Sequence, residues 1–122
     1  MALLEEFTRD EKKILYIVLP KFISSAAFHN GIETIRRAIE MYPENSLYTI
    51  VNIEYAIFDS KIIKHFVYLM QYNKRFIKYS VITGFDGIKK AICTSIAKKS
   101  GRTNIGYAFT KELAIELLLQ LK

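Results

Sequence analysis

The apolar residues of this chain change their period several times, from unbroken runs of strand length to spacings of three and four, and back. Strand-like and helix-like segments that alternate in this way point to an α/β domain, because each helix can bury its apolar stripe against a sheet built from the runs between helices. Ile14 to Leu19 (ILYIVL) is the first such run, and Pro20 ends it because proline cannot donate to a sheet ladder. SLYTIVNI, FIKYSVIT and TNIGYAF follow as a second, a third and a short last strand. The polar stretch around Arg9 and Asp10 is a turn that would make residues 1–11 a hairpin arm on the first run.

Between the strands, Phe28, Ile32, Ile35, Ile39 and Tyr42 recur at helical spacing with Glu33, Arg36, Arg37 and Glu40 opposite. This helix starts at Asn30, capped together with Glu33, or earlier at Ser24 or Ser25, and Pro43 closes it. Ile62, Ile63, Phe66, Val67 and Met70 mark a second helix after Asp59. A third follows TGFDG, with Ile88, Ala91, Ile92, Ser95 and Ile96 inward and Lys89, Lys90, Thr94 and Lys98 outward, and it ends at a capping Gly101. Thr110 caps a fourth, whose buried stripe is Leu113, Ala114, Leu117, Leu118 and Leu121. Ile115 and Leu119 lie on a different face, so they are the candidate surface for a homodimer.

At 122 residues the chain has the size of one domain, spanning 1–122, in which roughly two thirds of the unfolded surface can be buried. Its single cysteine, Cys93, falls in an apolar helical pattern, which suits a buried, inert thiol in a reducing compartment. No secretory pattern opens the chain and no apolar run nears ~18 residues, so the expectation is a cytoplasmic protein without a membrane span. A net charge of +6 admits acidic partners. The basic residues from Lys61 to Arg102 read better as scattered and solvated than as a nucleic-acid surface.

VITGFDGIKKAI is the stretch that comes nearest to a ligand-binding device. Gly84 and Gly87 meet neither the Walker spacing nor the dinucleotide fingerprint, and a tight turn with positive φ explains both glycines without a ligand. An anion held by the helix start with Lys89 and Lys90 is the sharper alternative, opposed by Asp86, which could cap the same helix. Asp59 and Ser60 likewise read as a helix cap or as a regulatory serine. His29 and His65 belong to no metal spacing. No set of residues forms a catalytic constellation, and neither a cofactor nor a metal is implied.

The order of elements, together with IVNIEYAIFDSKIIKHF and with FIKYSVITGFDGIKKAI followed by KKSGR, resembles the SpoIIAA-like branch of the STAS superfamily. That fold is also compared with Sec14-type lipid-binding domains. The resemblance covers roughly residues 12–121 and implies a single α/β domain with a mixed sheet of about five strands and four helices. It further implies a bacterial, non-enzymatic regulatory module that binds a protein partner, or alternatively a binder of an apolar or anionic, lipid-like molecule. In anti-sigma-factor antagonists the corresponding loop reads Asp-Ser-Ser/Thr-Gly, and a partner kinase phosphorylates its second hydroxyl. Asp59 and Ser60 match the first two positions, whereas Lys61 stands at the phosphorylated one and Ile62 replaces the glycine. The resemblance therefore implies a module without the phosphoserine switch, with Asp59, Ser60, Lys61, Gly84, Asp86, Gly87, Lys89 and Lys90 in its candidate loops.

Overall fold

A computed structural model describes residues 3–21 and 25–121 of the chain. Its elements run β1 (Leu3–Arg9), β2 (Lys12–Val18), α1 (Ser25–Glu40), β3 (Leu47–Asn52), α2 (Ser60–Asn73), β4 (Ile77–Thr83), α3 (Gly87–Ser100), β5 (Ile105–Tyr107) and α4 (Lys111–Gln120). The first helix thus takes the earlier of the expected starts, Ser25, while Ser24 lies outside the described residues. The five strands form one sheet in the order β1-β2-β3-β4-β5. β1 and β2 pair antiparallel, and β2 to β5 pair parallel, so the sheet is mixed. Asp10 and Glu11 join the hairpin at φ 48° and 67°, the left-handed backbone that a two-residue turn between twisted strands requires.

Alternation along the strands divides the apolar side chains between two faces. Leu15, Ile17, Leu19, Leu47, Ile77 and Ile82 meet Phe28, Ile32, Ile35 and Ile39 of α1, Phe66 and Leu69 of α2, and Cys93 and Ile96 of α3. On the other face Ile14, Tyr48, Ile50 and Val81 lie under Ala114 and Leu118 of α4. A register shift opposite Leu47 and Tyr48 pairs Leu47 with Ile77 and Tyr48 with Tyr79, which puts Ile77 and Ser80 on the same face.

Two helices are turned from their expected orientation. In α3 the buried residues are Cys93, Ile96, Ala97 and Ser100, whereas Ile88 is 75 % exposed and Ala91 and Ser95 are also exposed. The inward face starts at Lys89, whose tether to the loop after β3 fixes the rotation of the helix. In α4 the buried line is Ala114 and Leu118 with Leu117 and Leu121 at its flanks, and Leu113 is exposed. Ile115 and Leu119 are both half-buried, and Ile115 packs against the α4-side cluster. The short strand β5 at the sheet edge and a ten-residue helix leave room for only this narrow contact line.

Candidate functional site

Because β2 to β5 run parallel, the loops that follow β3, β4 and β5 emerge at one edge of the sheet, where ligands and partners of open α/β folds commonly bind. The loop after β3, residues 53–59, ends in Asp59, whose carboxylate accepts the Ile62 N-H at 2.8 Å and so caps α2. Ser60 and Lys61 begin that helix and are exposed. The loop after β4, residues 84–86, ends in Asp86, which accepts the Lys89 N-H at 2.7 Å and caps α3.

The two loops are stitched together. Lys89 Nζ donates to the carbonyls of Glu54 at 2.7 Å and Ile53 at 3.2 Å. Asn52 Oδ1 accepts the Glu54 N-H at 2.9 Å, and the Ile53 N-H bonds to Thr83 O at 3.0 Å. Gly84 closes the turn with φ 74°, and a Cβ there would come within 2.3 Å of Asn52 Oδ1 and 2.8 Å of Glu54 N. Gly87, by contrast, has no positive φ and would offer a Cβ open space, so the expectation of a strained turn holds at Gly84 and fails at Gly87. The physical reason is position: Gly84 makes the turn, while Gly87 is already the first residue of α3.

The lysines expected to hold an anion are placed differently from each other. Lys89 is tied to backbone carbonyls, and Lys90 Nζ lies 4.9 Å from the ring centre of Tyr107 and 5.6 Å from that of Phe85. Phe85 in turn stacks on Phe109 with centroids 5.4 Å apart. Phe109 is 77 % exposed, Ile88 75 %, Tyr55 55 % and Ile57 53 %, so large apolar side chains from the loops after β3 and β5 and from the start of α3 emerge at this edge. Polar residues flank them in Asp59, Ser60, Lys61 and Asp86, all exposed.

Neither a protein-family model nor a curated protein sequence matches the chain. Its shape, however, matches solved structures over its whole length. The unphosphorylated form of the anti-sigma-factor antagonist SpoIIAA superposes with a TM-score of 0.64 at 17% identity, covering 100% of this chain and 99% of that one. This chain has a SpoIIAA-like STAS fold. A STAS-domain anti-sigma-factor antagonist from Planctomyces limnophilus is also similar, with a TM-score of 0.61, 10% identity and coverage of 94% of this chain and 97% of that one. At these identities the likeness is one of fold, and it bears out both the resemblance and the expected architecture of five strands and four helices.

The STAS sheet carries a second feature, on its α1–α3 face, that the sequence did not announce. A cavity of about 90 Å³ lies there, walled largely by aliphatic side chains such as Ile35, Leu69, Ile82 and Ile96. Thr49, Asn73, Ser80 and Arg102 also line it. Arg102, grouped above with solvated basic residues, is only 5 % exposed. It enters the core because Gly101, at φ 73°, reverses the chain at the end of α3, so the Gly-Arg pair was the available signal. Cys93 also borders the cavity; burial pushes its thiol up to about 11, consistent with an inert side chain. Among the described residues no helix is long and apolar enough to cross a membrane.

Proposed function

We propose that this chain is a non-enzymatic regulatory module that docks a protein partner on the edge formed by the loops after β3, β4 and β5, and that it does so without a phosphoserine switch. The observation that carries this reading is the exposed group Tyr55, Ile57, Ile88 and Phe109 at one sheet edge. Isolated exposed apolar residues are ordinary, but large ones gathered beside charged loop ends mark interaction surfaces. The solved neighbours are described as anti-sigma-factor antagonists, a description that names another protein, the anti-sigma factor, as what they oppose. The missing switch rests on Lys61, a cation at the position that the resemblance assigns to the phosphorylated hydroxyl, and on Asp59 serving as a cap. Homodimerisation through Ile115 and Leu119 draws less support, because both are half-buried and Ile115 packs against the α4-side cluster.

Two measurements test the reading. Ile57→Asp with Phe109→Ser should abolish capture of a partner from extract of the source cells, while Leu119→Lys keeps it; equal capture by all three proteins would remove the edge from consideration. Incubation with the same extract and ATP should leave Ser60 unmodified by mass spectrometry, and stoichiometric phosphate there would restore the switch. A small-molecule function is the second reading, favoured by the cavity on the α1–α3 face.

A further inference from the structure

The cavity is apolar over most of its wall, and Thr49, Asn73, Ser80 and Arg102 are polar residues in its lining. There Thr49 and Ser80 share a hydroxyl-hydroxyl hydrogen bond of 2.6 Å, and Arg102 Nη2 donates to Ser80 Oγ at 3.0 Å. Arg102 Nε donates to Asn104 Oδ1 at 2.7 Å. Its Nη1 makes no hydrogen bond among the described residues, and no carboxylate among them forms an ion pair with it. Asn73, 2 % exposed, has its Oδ1 without a hydrogen-bond partner among the described residues. A buried guanidinium without an anion and a buried carbonyl oxygen without a donor are both costly, and native proteins rarely leave either uncompensated. Burial pulls the Arg102 guanidinium down to about 10, the direction expected when nothing nearby neutralises it.

We infer that this cavity binds a small aliphatic carboxylic acid, its carboxylate paired with Arg102 and, in hydroxy acids, its hydroxyl donating to Asn73 Oδ1. The inference deepens the small-molecule reading and is independent of the partner-docking one. Size sets the class: an apolar cavity of ~150 Å³ takes a benzene ring, so about 90 Å³ takes a body of roughly three to five non-hydrogen atoms. A long acyl chain does not fit that space. Charge sets the head group, because the planar guanidinium fork matches a carboxylate and repels an amine.

The test is titration of isotopically labelled full-length protein with propionate, glycolate, 1-propanol and propylamine, followed by amide NMR. Saturable shifts at Leu69, Asn73, Ile96 and Arg102 are expected with both acids, the hydroxy acid binding more tightly. Propanol should bind about ten- to a hundred-fold more weakly than propionate, as loss of a charge-assisted hydrogen bond implies. Equal binding of alcohol and acid overturns the carboxylate assignment but leaves a small-molecule cavity; no saturable shift with any probe overturns both. Arg102→Met should weaken the acids by a similar factor. Since Arg102 also joins Ser80 to Asn104, that variant could fail to fold, and Cys93→Leu then serves: it adds bulk to the same cavity from α3. Acid binding to Cys93→Leu as tight as to the wild type would place the ligand elsewhere and overturn the inference.

Discussion

The two capped loops at the strand-end edge begin alike and diverge. Each leaves a central parallel strand and ends in an aspartate with extended backbone at φ −112°, and each aspartate accepts the N-H three residues on, at 2.8 Å for Asp59 and 2.7 Å for Asp86. Their routes to the cap differ. Residues 84–86 turn the chain in three residues, with Gly84 in the left-handed backbone and pressed against Asn52 and Glu54. Residues 53–59 take a longer path and raise Tyr55 and Ile57 into solvent. Identical caps therefore serve different ends: the short loop fixes the edge mechanically, and the long one supplies its exposed apolar surface.

The largest expected effect tests the mechanical half. Gly84→Ala combines a positive φ with a Cβ 2.8 Å from a backbone nitrogen, an atom that cannot swing aside as a flexible side-chain tip can. Strain of ~1–3 kcal/mol and a comparable steric term together predict a loss of about 2–4 kcal/mol in denaturant unfolding. Because the clash pushes on Glu54, the loop that presents Tyr55 should shift too. An unchanged denaturation midpoint would show that the short loop is not the rigid one.

Next in size are the caps. Asp59→Ala and Asp86→Ala each remove one side-chain acceptor from a helix start, and each should cost about 1 kcal/mol. Nearly equal losses would confirm that the aspartates do the same work in both loops. If Asp59→Ala were neutral in stability but weakened partner capture, the comparison would sharpen: that carboxylate would then face outward in its important role, as the regulatory reading of the Asp-Ser pair has it.

Sequence patterns reached the architecture because long-range order here follows local periods. The runs ILYIVL, SLYTIVNI and FIKYSVIT each contain an observed strand or most of one, and Thr110 and Gly101 cap as their residue types suggest. Periodicity is less informative about rotation. α3 carries isoleucines at 88, 92 and 96 and alanines at 91 and 97, so two adjacent faces look equally apolar. The choice between them is made by Lys89, which looks like a surface residue until its carbonyl partners in another loop are known. Arg102 was obscured for a similar reason: a guanidinium is expected in water unless the polar groups that receive it, Ser80 and Asn104, are seen to converge. The edge surface was legible as a place, from strand order, but Phe109 and Ile88 joined it only through the orientation of their elements.

Gly87→Ala is the smallest expected effect, and it separates the two glycines of one turn. Gly87 is the first residue of α3, it has no positive φ, and no atom lies within 4 Å of where a Cβ would stand. Alanine there loses nothing in the folded state, and it restricts the unfolded chain more than glycine does, so folding forfeits less entropy. The expected result is a gain of about 0.4–1 kcal/mol in denaturant unfolding with an unchanged slope, opposite in sign to Gly84→Ala. Partner capture should also be unaffected, since the Asp86 cap and the Lys89 tether run through groups that the substitution leaves in place. A destabilised Gly87→Ala would mean that the short loop needs glycine at both of its ends, and the strain now assigned to Gly84 would have to be shared between them.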